Sequence, residues 1–317
     1  MQKLLTSEGI EDDQLRMMFV CCHPSLPEES QVAMVLKTLC GFSTMEIAHA
    51  FVTNEETIAK RLYRARQQFR EEKIAFGLPP APELASRVQH VLMVIYLIFN
   101  EGYNATHHAS LVREDLLEEA LRLAKMLADN EATWSPEVFA LLALMCFQAA
   151  RAPGRLDEAG NLLTLKEQDR SKWNRDLIAQ GNRYMQQASV GAHLSFYHIE
   201  AAIAYEHAAA ASYAATNWPR ILQLYNWLYQ SKPDAVVALN RAIARGEVAG
   251  AEAALADLQK LEQGGELSNY CLLPATLGEF YARIGNREAA RKYLEAALNL
   301  TKAKAEQNLL MRKISAL

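Results

Sequence analysis

The sequence predicts an all-α protein: an N-terminal helix-turn-helix followed by an α-helical body built of helical hairpins. Three observations carry this reading. Ala, Leu, Glu, Gln and Arg, all good helix formers, dominate the chain. Apolar residues recur with the 3.6-residue period of a helix, and the strict alternation of a half-buried strand is hard to find. The 14 glycines and 10 prolines fall between the periodic stretches, where they punctuate helices.

The first clear element begins at Leu26-Pro27-Glu28-Glu29, with proline and acids in a first helical turn. This helix runs through Val32, Val35, Leu36 and Leu39 and stops at Gly41. Ser43 or Thr44 caps a second, short helix over Met45 to Phe51, and a tight Val52-Thr53 turn follows. Asn54 then caps a third helix that begins Glu55-Glu56-Thr57. Two helices joined by a short turn, the second one longer, form a helix-turn-helix.

The third helix is read by angle, at about 100° per residue. Ile58, Leu62, Ala65 and Phe69 fall in one narrow sector, a stripe that docks on the first two helices. Thr57, Lys60, Arg61, Arg64 and Gln68 share a different sector, where cationic and amide side chains can reach phosphates and base edges. From Lys60 to Lys73 there are six basic residues (Lys60, Arg61, Arg64, Arg66, Arg70, Lys73) against two acids, Glu71 and Glu72. The chain as a whole carries a formal charge of −4, which argues against a dedicated nucleic-acid scaffold. Positive charge is instead concentrated where phosphate contact needs it.

Beyond this element, Phe76-Gly-Leu-Pro-Pro-Ala-Pro82 marks a break. Softer breaks stand at Arg151-Ala-Pro-Gly154 and near Gln187 to Ala192. The expected domains are 1–75 (helix-turn-helix), 76–190 (helical middle) and 191–317 (helical repeats). In the last of these, Lys232-Pro233, Gly246, Gly264-Gly265 and Gly285 punctuate short helices. There Leu277-Gly278-x-x-Tyr281, Gly285, Ala290, Leu294 and Ala297 follow the small and large positions of a tetratricopeptide hairpin. The match is partial, with Pro274 in place of the pattern's Trp and Lys302 in place of its terminal Pro.

The run LPEESQVAMVLKTLCGFSTMEIAHAFVTNEETIAKRLYRARQQFREEKI resembles region 4 of extracytoplasmic-function (ECF) sigma factors of bacterial RNA polymerase. The segments DDQLRMMFVCCHPSL, VIYLIFNEGYNAT, EQDRSKWNRDLI and NWPRILQLYNWLYQSKPDAVVALNRAIA are similar to the subgroup with a long tetratricopeptide-like C-terminal extension, the ECF42 group. The resemblance implies recognition of a −35 promoter element, with Asn54, Glu56, Thr57, Lys60, Arg61 and Arg64 at the DNA. It also implies docking on the β-flap of core RNA polymerase, and an extension that regulates activity. Such proteins begin with a region 2 domain, for which the residues before Glu11 leave no room. This polypeptide alone is therefore expected not to initiate transcription.

Other features are expected to be structural. Cys21-Cys22-His23 and Cys40 have no C-x-x-C spacing, so the cysteines are expected to pack as buried thiols and not to bind zinc. His107-His108, His193, His198, Glu200 and His207 form no H-E-x-x-H or other catalytic motif, and neither a catalytic residue nor a cofactor is expected. Gly102 reads as a helix end, and Arg170 is expected to pair with an acid such as Glu101 or Asp169 in a buried network. Trp218, Tyr225, Trp227 and Tyr229 are read as packing residues. The N-terminus lacks a signal-peptide pattern, and Val88 to Phe99 is too short an apolar run to span a bilayer. Few cysteines, odd in number, fit reduced thiols, so a cytoplasmic protein with no membrane partner is expected. The competing reading is a protein-interaction scaffold with a vestigial helix-turn-helix, whose repeat groove binds a protein partner.

Overall fold

A computed structural model describes residues 10, 12–74, 77, 79–105, 112–191 and 193–317. His107 and His108 lie outside the described residues. The architecture is all-α. The helices are α1 (Asp13–Cys21), α2 (Glu28–Thr38), α3 (Thr44–Ala50), α4 (Glu55–Glu71), α5 (Ala81–Tyr103), α6 (Glu114–Asp129), α7 (Pro136–Ala149) and α8 (Arg175–Ala188). They continue as α9 (Phe196–Ala209), α10 (Trp218–Ser231), α11 (Ala235–Ala249), α12 (Ala251–Gly264), α13 (Leu272–Arg283), α14 (Arg287–Leu300) and α15 (Lys304–Ser315). Among the described residues the only extended pairing is an isolated bridge between Leu156 and Leu162.

Contacts group the chain into two compact units. The first falls within Met1–Thr106, Val112–Met145 and Arg183–Gly191. The second falls within His107–Leu111, Cys146–Asn182 and Ala192–Leu317.

In the first unit α2 is the centre, packed against α1, α3, α4 and α5. Every residue from Ser30 to Leu36 is buried, as a helix with neighbours all round requires. Gln31 Nε2 donates to the carbonyl of Leu26 at 2.8 Å. The proline-rich stretch before α5 separates helices without separating cores, because α5 returns to pack on α1, α2 and α3. Arg87 of α5 is 5% exposed and donates through Nη1 to the carbonyl of Phe19 at 2.9 Å, in the last turn of α1. A cation there meets the negative end of the helix dipole. His90 of α5 contacts Glu28 of α2 at 2.9 Å. Gly102 does stand at the end of α5, and it also permits a close approach. A Cβ there would lie 2.9 Å from Leu116 Cβ and from Leu117 N of α6.

The turns around α3 fix the course of the chain. Gly41 takes φ +72°. Ser43 accepts from the backbone N–H of Glu46 at 3.1 Å, while Glu46 Oε2 accepts from that of Ser43 at 2.6 Å, a complete capping box. Helix α3 ends in a Schellman motif: Thr53 N–H donates to the Ala48 carbonyl (2.9 Å) and Val52 N–H to that of His49 (3.0 Å). That motif needs a left-handed residue, and here it is Val52, at φ +49° and 40% exposed. A β-branched side chain in this region is strained.

In the second unit α9 to α15 pack in chain order, each on the next, and α11 also meets α13. Short connections make successive helices antiparallel. The core between α11, α12 and α13 includes Leu239, Leu255, Leu258, Leu277 and Phe280. Gly246, which the sequence suggests as a break between helices, lies inside α11. It is glycine because a Cβ would stand 2.4 Å from Phe280 Cε1 and 2.9 Å from the Ala254 Cβ. Gly278 plays the same part between α13 and α14, where a Cβ would be 2.7 Å from Leu294 Cγ. Helix α15 closes the array with Leu310 against Leu294 and Ala297, and Lys313 pairs with Glu279 of α13.

Three substitutions test these assignments in urea unfolding followed by circular dichroism. Gly246→Ala overpacks the array and should cost about 1–3 kcal/mol. Gly264→Ala, with nothing within 4 Å of its Cβ, should change stability little. Val52→Gly should stabilise the first unit by up to about 1 kcal/mol, since left-handed backbone costs a residue with a Cβ about 1–2 kcal/mol and glycine's extra chain entropy takes back part of the gain.

Candidate nucleic-acid interface

Helix α4 is positioned at its start by Asn54, whose Oδ1 accepts from Thr57 N–H and Thr57 Oγ1–H, both at 2.9 Å. Thr44 Oγ1 at the head of α3 donates to Glu55 Oε2 at 3.2 Å, joining the two helix starts. Ile58, Leu62 and Ala65 are buried and Phe69 is half-buried, so the apolar stripe docks as its spacing predicts. Farther along, Gln68 Nε2 donates to the Ser25 carbonyl at 2.6 Å. That bond ties α4 to the loop between α1 and α2, so this amide is held within the unit.

The six residues singled out from the sequence do not share one environment. Asn54, Glu56, Lys60 and Arg64 are exposed, whereas Thr57 and Arg61 are half-buried. Lys60 Nζ lies 2.7 Å from Glu56 Oε1, with both side chains mostly in solvent. Such an exposed i,i+4 pair contributes only about 0.3–0.5 kcal/mol and yields readily to a phosphate. Arg64 forms no ion pair among the described residues. Arg61 differs: its guanidinium pairs with Glu29 of α2 at 2.5 Å and lies 5.7 Å from the centroid of the Phe51 ring. It therefore helps to set the angle between α4 and the helices beneath it.

Three features of the site escape sequence reasoning, whereas the capping box is legible as Ser43-x-x-Glu46. The Glu29–Arg61 and Gln68–Ser25 bonds are not, because they join residues whose proximity only the folded turn creates. The third is Tyr63, which stands 70% exposed on the solvent side of α4.

The other candidates settle differently. Cys21 and Cys22 are buried free thiols and Cys40 is partly so. Burial pushes Cys21 up to about 11 and Cys40 up to about 12, away from the thiolate that metal binding or nucleophilic chemistry requires. Among the described residues no three His, Cys, Asp or Glu side chains gather as a metal site would need. His198 is buried, its Nδ1 2.8 Å from Ser195 Oγ at the start of α9. His207 meets the Trp218 ring edge-on at 5.4 Å. Burial raises the Glu200 carboxyl to about 7. Trp218, Tyr225 and Tyr229 pack against the core of α9–α11. Trp227 does not; it is 41% exposed under the guanidinium of Arg220. Among the described residues no helix is long and apolar enough to cross a membrane.

Comparison with known proteins agrees with this geometry. Residues 16–69 match the model of sigma-70, region 4, which takes in α2, α3 and all but the end of α4. Residues 87–189 match a family of unknown function (DUF6596). An uncharacterized protein, R00370, of Rhizobium meliloti (strain 1021) is 37% identical over 289 residues, covering 91% of this chain and 68% of that protein. The chain belongs to one family with that Rhizobium meliloti protein, and it is a sigma-factor-like protein whose helix-turn-helix is a sigma-70 region 4 domain.

Proposed function

We propose that this chain acts in transcription initiation as the −35-reading part of an ECF-type sigma factor. The observation that carries the proposal is the exposed basic face of α4 on a region 4 helix-turn-helix, with Lys60 and Arg64 turned to solvent. A helix in the major groove presents its N-terminal residues to base edges and its cations to phosphates. In this reading Asn54, Glu56 and Thr57, at the head of α4, meet base edges and the nearest phosphate. Lys60 and Arg64 contact the flanking backbone. Arg61 reaches DNA by exchanging Glu29 for a phosphate, and otherwise positions α4. The rest of the domain docks on the polymerase β-flap.

The C-terminal array is proposed to be tetratricopeptide-like and to regulate the region 4 domain. The close approaches at Gly246 and Gly278 support that reading, because small residues let paired helices approach in such repeats.

Duplexes enriched from a sequence-randomised pool by the wild-type chain provide the probe. Lys60→Ala and Arg64→Ala should each weaken binding to them and lower the salt dependence by about one phosphate contact. Both variants should keep native circular dichroism. Arg61→Ala should weaken binding and also lower stability, because Glu29 loses its partner. Unchanged affinity in all three, with native spectra, contradicts the assignment. Capture of RNA polymerase subunits by the tagged full chain from a bacterial extract supports the sigma reading. Capture of other proteins without polymerase favours the scaffold.

A further inference from the structure

The second unit contains a concentration of buried donors with no acid among them. Trp173 is 2% exposed and carries two guanidiniums on its ring, Arg170 at 4.7 Å and Arg151 at 5.5 Å from the centroid. Arg170, 7% exposed, does not pair with an acid as its sequence context suggests. Its Nη1 donates at 2.7 Å to the carbonyls of both His207 and Ala210, at the end of α9, and its Nη2 donates to Thr216 Oγ1 at 3.3 Å. The acids nearest in sequence are engaged elsewhere. Asp169 accepts from the Ser171 N–H at 2.9 Å, and Glu167 binds Thr164 and Arg312.

Carbonyl dipoles anchor Arg170 but carry only partial charge, so among the described residues the two guanidiniums have no carboxylate partner. Burial, and then the charge of Arg151, hold Arg170 below its ordinary range. Burial, with both arginines adding, lowers His207 to about 3, so its ring is neutral. Arg151 Nε, Arg170 Nε, Trp173 Nε1 and His207 Nδ1 are all buried and have no hydrogen-bond partner among the described residues. Buried polar groups are nearly always paired, and three N–H donors in one place, those of Arg151, Arg170 and Trp173, point to an acceptor from outside the chain. Gly154 packs closely against the indole: a Cβ there would stand 2.9 Å from Trp173 Nε1 and 3.0 Å from its Cδ1.

We propose that Arg151 and Arg170, held on the Trp173 ring, form a binding site for a small oxyanion, a phosphate or carboxylate group. The anion enters on the side of Arg151 and His207, the half-buried members. Arg151 meets it directly, and Arg170, fixed by the end of α9, supplies the buried charge. The site lies outside the region 4 domain and gives the C-terminal body a ligand of its own, independently of DNA binding.

Calorimetric titration of the full chain at constant ionic strength tests this, with inorganic phosphate in one arm and succinate in the other. One site per chain is expected for at least one of them, and the arm that binds identifies the class. Arg151→Gln should weaken it about tenfold or more, the scale of a charge-assisted hydrogen bond, and Arg151→Lys should retain part of the affinity. Gly154→Ala, which keeps every charge and displaces the indole on which both guanidiniums lie, should also weaken binding, and serves where Arg151→Gln fails to fold. No binding of either anion overturns the proposal. So does binding that a natively folded Arg151→Gln or Gly154→Ala leaves unchanged.

Discussion

The burial of α2 is the constraint on which the rest of the first unit depends. Four other helices use it as their floor, and its central residues Val32, Met34, Val35 and Leu36 are at most 5% exposed. Each such side chain contributes about 1.5–3 kcal/mol on burial, whereas an ion pair near the surface contributes about 0–1 kcal/mol. Apolar contact therefore holds the unit together, and the polar pairs at the head of α2 set directions. Glu29 points α4 through Arg61, and Glu28 meets α5 through His90. The helix that carries the basic face and the helix that begins the rest of the chain are thus referred to the same two adjacent acids.

Two sets of cations illustrate opposite uses of charge. Lys60 and Arg64 sit in water, where they keep their hydration until a polyanion displaces it. Arg87 and Arg170 are buried and hold down helix ends, Arg87 at the carbonyl of Phe19 and Arg170 at those of His207 and Ala210. Both buried guanidiniums use the negative end of a helix as the acceptor. For Arg170 that arrangement leaves its charge, and that of Arg151 beside it, without a carboxylate among the described residues.

Much of this was legible in the sequence, and the residues show why. Helical period and capping chemistry are local, so α2, α3, α4, the Asn54 cap and the stop at Gly41 could be read directly. Gly246 could not, because its reason is Phe280 on another helix, and a glycine needed for close packing looks like one needed for a turn. The pairing of Arg170 with an acid was the natural expectation for a buried guanidinium. Its true acceptors are backbone carbonyls 37 and 40 residues away, which no side-chain pattern reports. On α4, spacing identified a polar sector but could not separate Lys60 and Arg64, which face solvent, from Arg61, which bridges to α2. The identity of the domain rested on resemblance to region 4, and the match over residues 16–69 supports it.

The central claim is that the solvent face of α4 contacts duplex DNA. Site-directed photo-crosslinking tests it most directly, with a photoreactive residue placed at Arg64, at Tyr63 or, as a control on the same unit, at exposed Glu118 of α6. Covalent adducts to a promoter duplex are expected from position 64, fading as salt is raised, and none from position 118. Absence of adducts from α4 under conditions where the chain binds the duplex, or equal yields from α6, would contradict it.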